Sequence, residues 1–134
     1  MVVASVITPG GPLILLVDDF LDALEMYEEY LQFKGYRVVT ATDGPSAIEI
    51  ARSQRPALIL MDLQMGGITG TQAMRVLRAD VGFDRMPIVA FTAHALEEQR
   101  VEAMNAGFDE VVAKPCLPDE LVAAVERLLA RASA

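Results

Sequence analysis

Side chains that can do chemistry stand at the ends of short apolar runs in this sequence. The run over residues 57–61 ends in Asp62, and the run over residues 13–17 ends in the pair Asp18-Asp19. Short runs of this kind, bounded by proline and glycine, are typical of strands buried on both faces in parallel sheets. An ionised carboxylate at the exit of a buried strand is costly unless something uses it, so Asp62 is the first candidate functional residue.

Two later runs also lead to polar side chains. Residues 87–91 are followed by Thr92, and residues 108–112 lead to Lys114-Pro115. The carboxyl ends of parallel strands meet at one edge of the sheet, where ligands bind, so we expect three carboxylates, a hydroxyl and an ammonium to gather there. Carboxylates about 4 Å apart repel by roughly 4 kcal/mol per pair, so a cation or protons must accompany them.

The predicted ligands favour magnesium. Carboxylates, a backbone carbonyl and water form the oxygen shell that Mg²⁺ prefers, and phosphate oxygens commonly complete it. Zinc is disfavoured because His94 and Cys116 are the only histidine and cysteine and stand far apart in the sequence. A metal beside a carboxylate nucleophile, a lysine and a threonine suits a site that holds a phosphoryl group.

Helical periodicity between these runs predicts the elements that position the candidates. Apolar residues recur at helical spacing over residues 20–34, from Asp43-Gly44-Pro45 onward, and over residues 69–80, 96–106 and 118–132. A β-branched segment over residues 36–40 adds a strand. The alternation predicts an α/β fold, a doubly wound (βα)5 parallel sheet of five strands with helices on both faces. The usual strand order for such a sheet is 2-1-3-4-5.

Length and composition bound the class of protein. The 134 residues suffice for one core, and we expect an extension over residues 1–12 and one domain over residues 13–132. The apolar runs are too short to cross a bilayer and no basic leader precedes them, so we expect a cytoplasmic protein without a membrane partner. A net charge of −8 repels a phosphate backbone, so no direct contact with nucleic acid is expected.

Together, Asp18-Asp19, Asp62, Thr92 and Lys114-Pro115 resemble the receiver domain of two-component response regulators, over about residues 13–129. The resemblance, to the single-domain chemotaxis type, implies a flavodoxin-like three-layer sandwich. It also implies a phosphorylation-dependent signalling switch that takes a phosphoryl group from a histidine kinase or histidine phosphotransfer protein and contacts a downstream protein target. The chain would not be an enzyme beyond its own phosphotransfer and dephosphorylation.

The resemblance also assigns roles to individual acidic residues. Asp62 would be the phosphoacceptor and would bind Mg²⁺ together with Asp19 and the backbone carbonyl of Gln64. Asp18 would act on the ion largely through a bound water. Gln64 and His94 carry a further hypothesis, that their side chains flank the path of the water that removes the phosphoryl group.

Lys114 and Thr92 would each bind a phosphoryl oxygen, and the Lys114-Pro115 bond is cis in the family. The chain departs from the family at Val111, where a Tyr or Phe usually stands three residues before the lysine. The usual relay, in which the threonine moves and an aromatic ring turns inward, cannot operate in that form. Gly66 replaces a common proline, which predicts a more mobile loop after Asp62.

Other interpretations stay open from the sequence. Asp18-Asp19 and Thr92 could cap the helices that follow them. The chain could be a pseudo-receiver that binds its partner without phosphorylation. It could also be a magnesium-dependent phosphohydrolase that forms an aspartyl-phosphate, although haloacid-dehalogenase enzymes need an acid where this chain has Gln64.

Overall fold

The computed structural model describes residues 10–133. Within this range five strands alternate with five helices, as the sequence predicts. The strands are β1 (Leu13–Val17), β2 (Arg37–Ala41), β3 (Leu58–Met61), β4 (Ile88–Thr92) and β5 (Glu110–Ala113). The helices are α1 (Leu21–Phe33), α2 (Gly44–Gln54), α3 (Gly70–Arg78), α4 (Glu97–Ala106) and α5 (Pro118–Ser133). The predicted boundaries differ from these by at most two residues.

The strands form one parallel sheet in the order β2-β1-β3-β4-β5, which confirms the predicted topology. The chain reverses its direction of winding between β1 and β3, the position where ligands bind in sheets of this type. These two strands end level with each other, because Val17 pairs with Met61. The next residue along β3, Asp62, donates its N–H to the Val17 carbonyl at 3.0 Å. The carboxylates that follow β1 and β3 therefore leave the sheet side by side.

Helices cover both faces of the sheet and complete a three-layer sandwich. On one face, α1 and α5 pack on the side chains of β1, β3 and β4 around Tyr27, Leu31 and Val125. On the other, α2, α3 and α4 pack around Ala47, Met74 and Ala103. Successive strand residues point to opposite faces, so each continuous apolar run supplies both cores.

Local signals fix the helix that follows Asp62. Thr69 accepts a hydrogen bond from the Gln72 N–H at 3.1 Å and donates its own N–H to the Gln72 side chain at 2.8 Å, a reciprocal cap at the start of α3. Gly70 follows, where an added Cβ would lie 2.1 Å from the Asp62 carbonyl oxygen. Only glycine fits this position, and α3 therefore begins in direct contact with the Asp62 loop.

The two helix-cap interpretations of site residues are wrong. Helix α1 begins after Phe20, which makes no side-chain cap. Helix α4 begins after Leu96, whose N–H donates to the Gln99 side chain at 3.0 Å. Asp18 and Thr92 lie before these caps, and their side chains remain at the sheet edge.

The predicted N-terminal extension falls only partly in the described range. Residues 1–9 lie outside it. Gly11 and Pro12 pack at the start of β2, where their carbonyls accept hydrogen bonds from the Arg37 side chain and N–H at 2.8 and 3.1 Å. Of the helices in residues 10–133, none has the length and apolar character that a membrane span requires.

Candidate functional site

Three carboxylates gather at the carboxyl edge of the sheet, as the strand ends predict. Asp18 and Asp62 are 3% and 7% exposed, and Asp19 beside them is exposed. One carboxylate oxygen of each residue lies within 4.8 Å of the others. Such a group repels itself strongly unless positive charge is close.

Backbone N–H groups fix the orientation of each carboxylate. The donors come from the turns that follow β1 and β3, and each carboxylate accepts one of them: Phe20 N–H donates to Asp18 at 2.9 Å, Gln64 N–H to Asp62 at 3.2 Å, and Gly66 N–H to Asp19 at 3.3 Å. The bond from Gly66 joins the turn after β3 to the turn after β1. These contacts leave other oxygen lone pairs free for a ligand.

Lys114 supplies the positive charge from the end of β5. Its Nζ forms a short ion pair with Asp18 Oδ2 and lies 3.6 Å from Asp62 Oδ2. The Lys114-Pro115 bond is cis, as the resemblance implies. The Lys114 N–H donates to the Thr92 carbonyl at 2.9 Å, which holds the β5 exit against β4. The lysine side chain is only 12% exposed, so solvent screens its charge weakly.

Burial raises the pKa of the Asp62 carboxyl. The Lys114 ammonium opposes this shift, as does the hydrogen bond from the Gln64 N–H, whereas the charge of Asp18 adds to it. The raised pKa means that the ionised form is less favourable here than in water. Additional positive charge beside Asp62 would restore it.

Thr92 is fully buried at the end of β4. Its hydroxyl oxygen accepts a hydrogen bond from the His94 N–H at 3.1 Å, so the side chain is tied to the loop that leads into α4. The His94 and Gln64 side chains are exposed and line a cleft of about 500 Å³ between α3 and α4. The structure thus brings these two residues to one cleft, and their role in dephosphorylation stays a prediction.

Val111 and Gly66 depart from the family pattern, and their surroundings in the structure differ. Val111 is buried in the core beneath α3 and α4 and pairs with Ala90 of β4. Gly66 is exposed, and a side chain added there would meet open space.

Cys116 is half-buried beside the core under α1 and α5, and burial raises the pKa of its thiol, consistent with a packing role.

The residues present fit a magnesium ion. Among residues 10–133, three carboxylates gather beside one ammonium, so the edge retains excess negative charge, and the side-chain ligands of this cluster are all hard oxygens. Two of the carboxylates come from one turn and the third from the neighbouring strand end, each oriented by a backbone N–H. Mg²⁺ is bound by few carboxylates and keeps several waters, as this open and partly exposed cluster allows.

Sequence reasoning missed one neighbour of the site. The aromatic ring of Phe91, the residue before Thr92, lies beneath the Lys114 ammonium, with 5.3 Å between Nζ and the ring centroid. An aromatic residue one position before the strand-end threonine was the available signal, but its orientation depends on which face of β4 it occupies.

A family model for the response regulator receiver domain matches residues 14–126 of the chain. The chain belongs to this family. As a receiver domain it is a phosphorylation-dependent signalling switch of two-component systems. Apart from Leu13, the match covers all five strands, and it extends into α5, so it includes the whole candidate site.

Individual relatives agree with this assignment. The chain is 36% identical over 122 residues to the transcriptional regulatory protein PrrA of Mycobacterium tuberculosis, which covers 90% of this chain and 51% of that protein. It is 40% identical over 118 residues to the DNA-binding response regulator MtrA of Mycolicibacterium smegmatis, covering 88% and 50%. The chain thus spans about half the length of the curated relatives it matches.

Solved receiver structures share the fold. The receiver domain of the sensor histidine kinase PA1611 of Pseudomonas aeruginosa is 36% identical, with a TM-score of 0.84 over 90% of this chain and 99% of that one. That structure has a magnesium ion coordinated in its active site cleft. The chemotaxis response regulator CheY4 of Vibrio cholerae is 28% identical, with a TM-score of 0.83 over 89% and 99%.

Proposed function

We propose that the chain accepts a phosphoryl group on Asp62 and that residues 13–132 form the receiver that does so. The observation that carries the proposal is a nearly buried carboxylate, Asp62, beside a second buried carboxylate, Asp18, with the Lys114 ammonium close to both at the sheet edge. An Asp62 oxygen attacks the phosphorus of a phosphohistidine. The new P–O bond forms as the P–N bond breaks, and the imidazole nitrogen leaves with the electron pair and takes up a proton.

The chain's own residues hold the reacting groups during this transfer. The Gln64 N–H keeps one Asp62 oxygen in place, which leaves the other for attack. Lys114, 3.6 Å from Asp62 Oδ2, takes one phosphoryl oxygen, and the Thr92 hydroxyl takes another. Phosphoryl transfer depends mainly on such positioning and charge neutralisation.

We assign the magnesium site to Asp18, Asp19, Asp62 and the backbone carbonyl of Gln64. The carboxylate cluster and its surplus negative charge support this, as does the magnesium in the cleft of the related PA1611 receiver. Bound there, the ion would neutralise charge on the phosphoryl oxygens. The assignment also explains why Asp18 and Asp62 are kept so close together despite their repulsion.

The proposed partners are a histidine kinase or histidine phosphotransfer protein, which donates the phosphoryl group, and a downstream target protein that the chain contacts. The net charge of −8 favours output by protein contact over direct contact with nucleic acid. The proposed catalysis is limited to the chain's own phosphorylation and dephosphorylation. We also propose a cytoplasmic location, since the single cysteine of the sequence, Cys116, agrees with a reducing compartment.

Intact mass spectrometry tests this function. The chain is incubated with Mg²⁺ and phosphoramidate, a small donor with a P–N bond, and we expect one phosphoryl adduct on the wild type. Asp62→Asn should carry none, because an amide is a poor nucleophile. Asp84→Asn is the matched control, since Asp84 is exposed in the loop between α3 and β4, and it should be modified like the wild type.

An unmodified wild type, with this donor and with a histidine kinase as donor, would contradict the proposal and favour a pseudo-receiver. Adduct on Asp62→Asn would place the acceptor at another residue. Sustained turnover of a phosphomonoester would indicate a phosphohydrolase instead.

A further inference from the structure

The lysine of the site has an aromatic ring beneath it. Lys114 Nζ lies over the Phe91 ring, 5.3 Å from its centroid, within the range of a cation–π interaction. Phe91 is the fourth residue of β4 and is 2% exposed, so its ring is fixed by the packing under α1 and α5. Among the described residues, the ammonium thus contacts two carboxylates and the face of a neutral ring.

A second buried ring holds Phe91 in place. Tyr27 of α1 packs edge-to-face on Phe91, with centroids 4.7 Å apart and ring planes at 72°. Tyr27 in turn packs edge-to-face on Tyr30, with centroids 5.7 Å apart. Edge-to-face pairs at these distances contribute beyond their buried area. A continuous aromatic contact thus runs from helix α1 to the lysine.

The Phe91 ring helps to position the Lys114 ammonium, for which two carboxylates compete. Lysine has a flexible four-carbon stem, and the two neighbouring carboxylates offer it competing ion pairs. In the structure Asp18 forms the closer of the two ion pairs, and Asp62 Oδ2 lies 3.6 Å from the ammonium. The face of an aromatic ring attracts a cation without adding a third negative charge.

We propose that Phe91, supported by Tyr27, is a positioning residue for Lys114. The ring holds the ammonium between Asp18 and Asp62, so that it meets a phosphoryl oxygen without rearrangement. The kinetic part of this inference rests on the proposed function, whereas the placement of Lys114 on the ring stands apart from it.

Nuclear magnetic resonance tests the placement directly. The sequence contains two lysines, Lys34 and Lys114, so lysine labelled with ¹³C gives two ε-methylene signals. Nuclei over an aromatic face are shielded, and we expect the Lys114 signal upfield of that of the exposed Lys34. Lys114→Arg assigns the signals by removing one of them.

Two matched substitutions decide what causes the shift. Phe91→Leu should move the Lys114 signal to the Lys34 position. Phe83→Leu is the control, because Phe83 is an equally buried phenylalanine under a different cation, with Arg55 4.6 Å above its ring, and it should leave the Lys114 signal unchanged. A wild-type Lys114 signal that coincides with Lys34, or one that Phe91→Leu does not move, would overturn the proposal.

Phosphorylation rates test the consequence. With saturating Mg²⁺ and phosphoramidate, Phe91→Leu should be modified about fivefold more slowly, as expected for the loss of one cation–π contact. Phe83→Leu should match the wild type, and circular dichroism should show both variants folded. In a Lys114→Met background, Phe91→Leu should cause no further slowing, because the group it positions is absent.

The outcomes separate the two proposals. Equal slowing by Phe83→Leu, or full slowing by Phe91→Leu in the Lys114→Met background, would mean that the effect is structural and would overturn the positioning role. If the wild type accepts no phosphoryl group, the proposed function fails, and the ¹³C signals alone decide whether Phe91 positions Lys114.

Discussion

The two edges of the sheet each hold a partly or fully buried ion pair, and the two pairs are built differently. At the amino edge, Arg78 pairs with Asp109 at 2.8 Å. The same guanidinium donates to the carbonyls of Phe83, Met86 and Gly107, and Asp109 Oδ2 also accepts the Ile88 N–H. Positive and negative charge balance there, and the arginine's donors are almost fully used.

At the carboxyl edge, by contrast, Lys114 is the one cation among residues 10–133 that pairs with the cluster of Asp18, Asp19 and Asp62. Each of these carboxylates accepts one backbone N–H from the part of the chain that the structure describes, and burial raises the pKa of Asp62. A satisfied pair stabilises the fold and offers a ligand nothing, whereas an unbalanced cluster stays costly until a ligand arrives. The difference distinguishes a structural ion pair from a functional one.

The largest expected effect is on stability and comes from the amino edge. Arg78→Met leaves the partly exposed Asp109 without its cation and four loop carbonyls without their donor, so the free energy of unfolding should fall by about 3 kcal/mol, at roughly 1 kcal/mol for each lost hydrogen bond. Urea denaturation measures this. Arg75→Met, one turn earlier on α3 and with no ion pair among residues 10–133, should change it little. If both variants lose the same stability, the amino-edge pair is not structural.

The next largest expected effect is on the rate of phosphorylation and comes from the carboxyl edge. Lys114→Met should slow phosphorylation by phosphoramidate about a hundredfold, the usual cost of one lost charge-stabilising donor. Intact mass spectrometry over time gives the rate. Lys34→Met removes the other lysine, which forms only a 3.9 Å surface ion pair with Asp119, and should react like the wild type. If Lys114→Met reacts as fast as the wild type, the ion pair at the carboxyl edge is not functional.

Magnesium should stabilise the carboxyl edge by supplying the missing charge. At a concentration about ten times its Kd, Mg²⁺ should raise the free energy of unfolding by roughly 1.4 kcal/mol through linkage to the folded state. Asp19→Asn should lose most of this gain and should be more stable than the wild type without metal, because repulsion falls. Asp22→Asn, an exposed acid in the first turn of α1, should keep the gain. Equal stabilisation of both variants would exclude the assigned site.

The smallest expected effect concerns a surface ion pair, in contrast to the two ion pairs at the edges of the sheet. Arg52 donates to Asp80 at 2.6 and 3.2 Å, and this hydrogen bond lowers the pKa of the Asp80 carboxyl below its ordinary 3.8. A lowered folded-state pKa means that the pair stabilises the fold above about pH 4 and that this stability disappears as the pH falls further. Arg52→Met should therefore reduce the urea midpoint slightly at pH 7, and the difference from wild type should shrink below about pH 4.

The control for this last prediction is Arg85→Met. Arg85 is exposed and has no ion pair within residues 10–133, so its removal should leave the pH dependence unchanged. A difference for Arg52→Met that persists unchanged at low pH would mean that the arginine acts by packing and not by charge.

The sequence predicts the carboxyl edge far better than the amino edge. Asp18, Asp62, Thr92 and Lys114 were found because each directly follows or closely follows an apolar run, and parallel topology brings all strand ends together. That inference needs only the order of elements. The fold itself follows from the same alternation, and its boundaries differ from prediction by at most two residues.

The remaining features depend on tertiary geometry. The bonds from Arg78 reach carbonyls in the loop before β4 and at the end of α4, and no local pattern marks these as partners. The contact of Phe91 with Lys114 depends on which face of β4 the ring occupies and on the rotamer of a long side chain. Cap interpretations of Asp18 and Thr92 failed because the helices begin later than these residues.

The glycine at the start of α3 limits how this site can be altered. Any side chain at position 70 would collide with the Asp62 carbonyl oxygen, which lies 2.1 Å from the place a Cβ would take. A variant library around the site can therefore exchange exposed neighbours such as Gln64, Gly66 and His94, but position 70 tolerates no substitution without moving the Asp62 main chain. Gly70→Ala would therefore deform the site without replacing any of its charged residues.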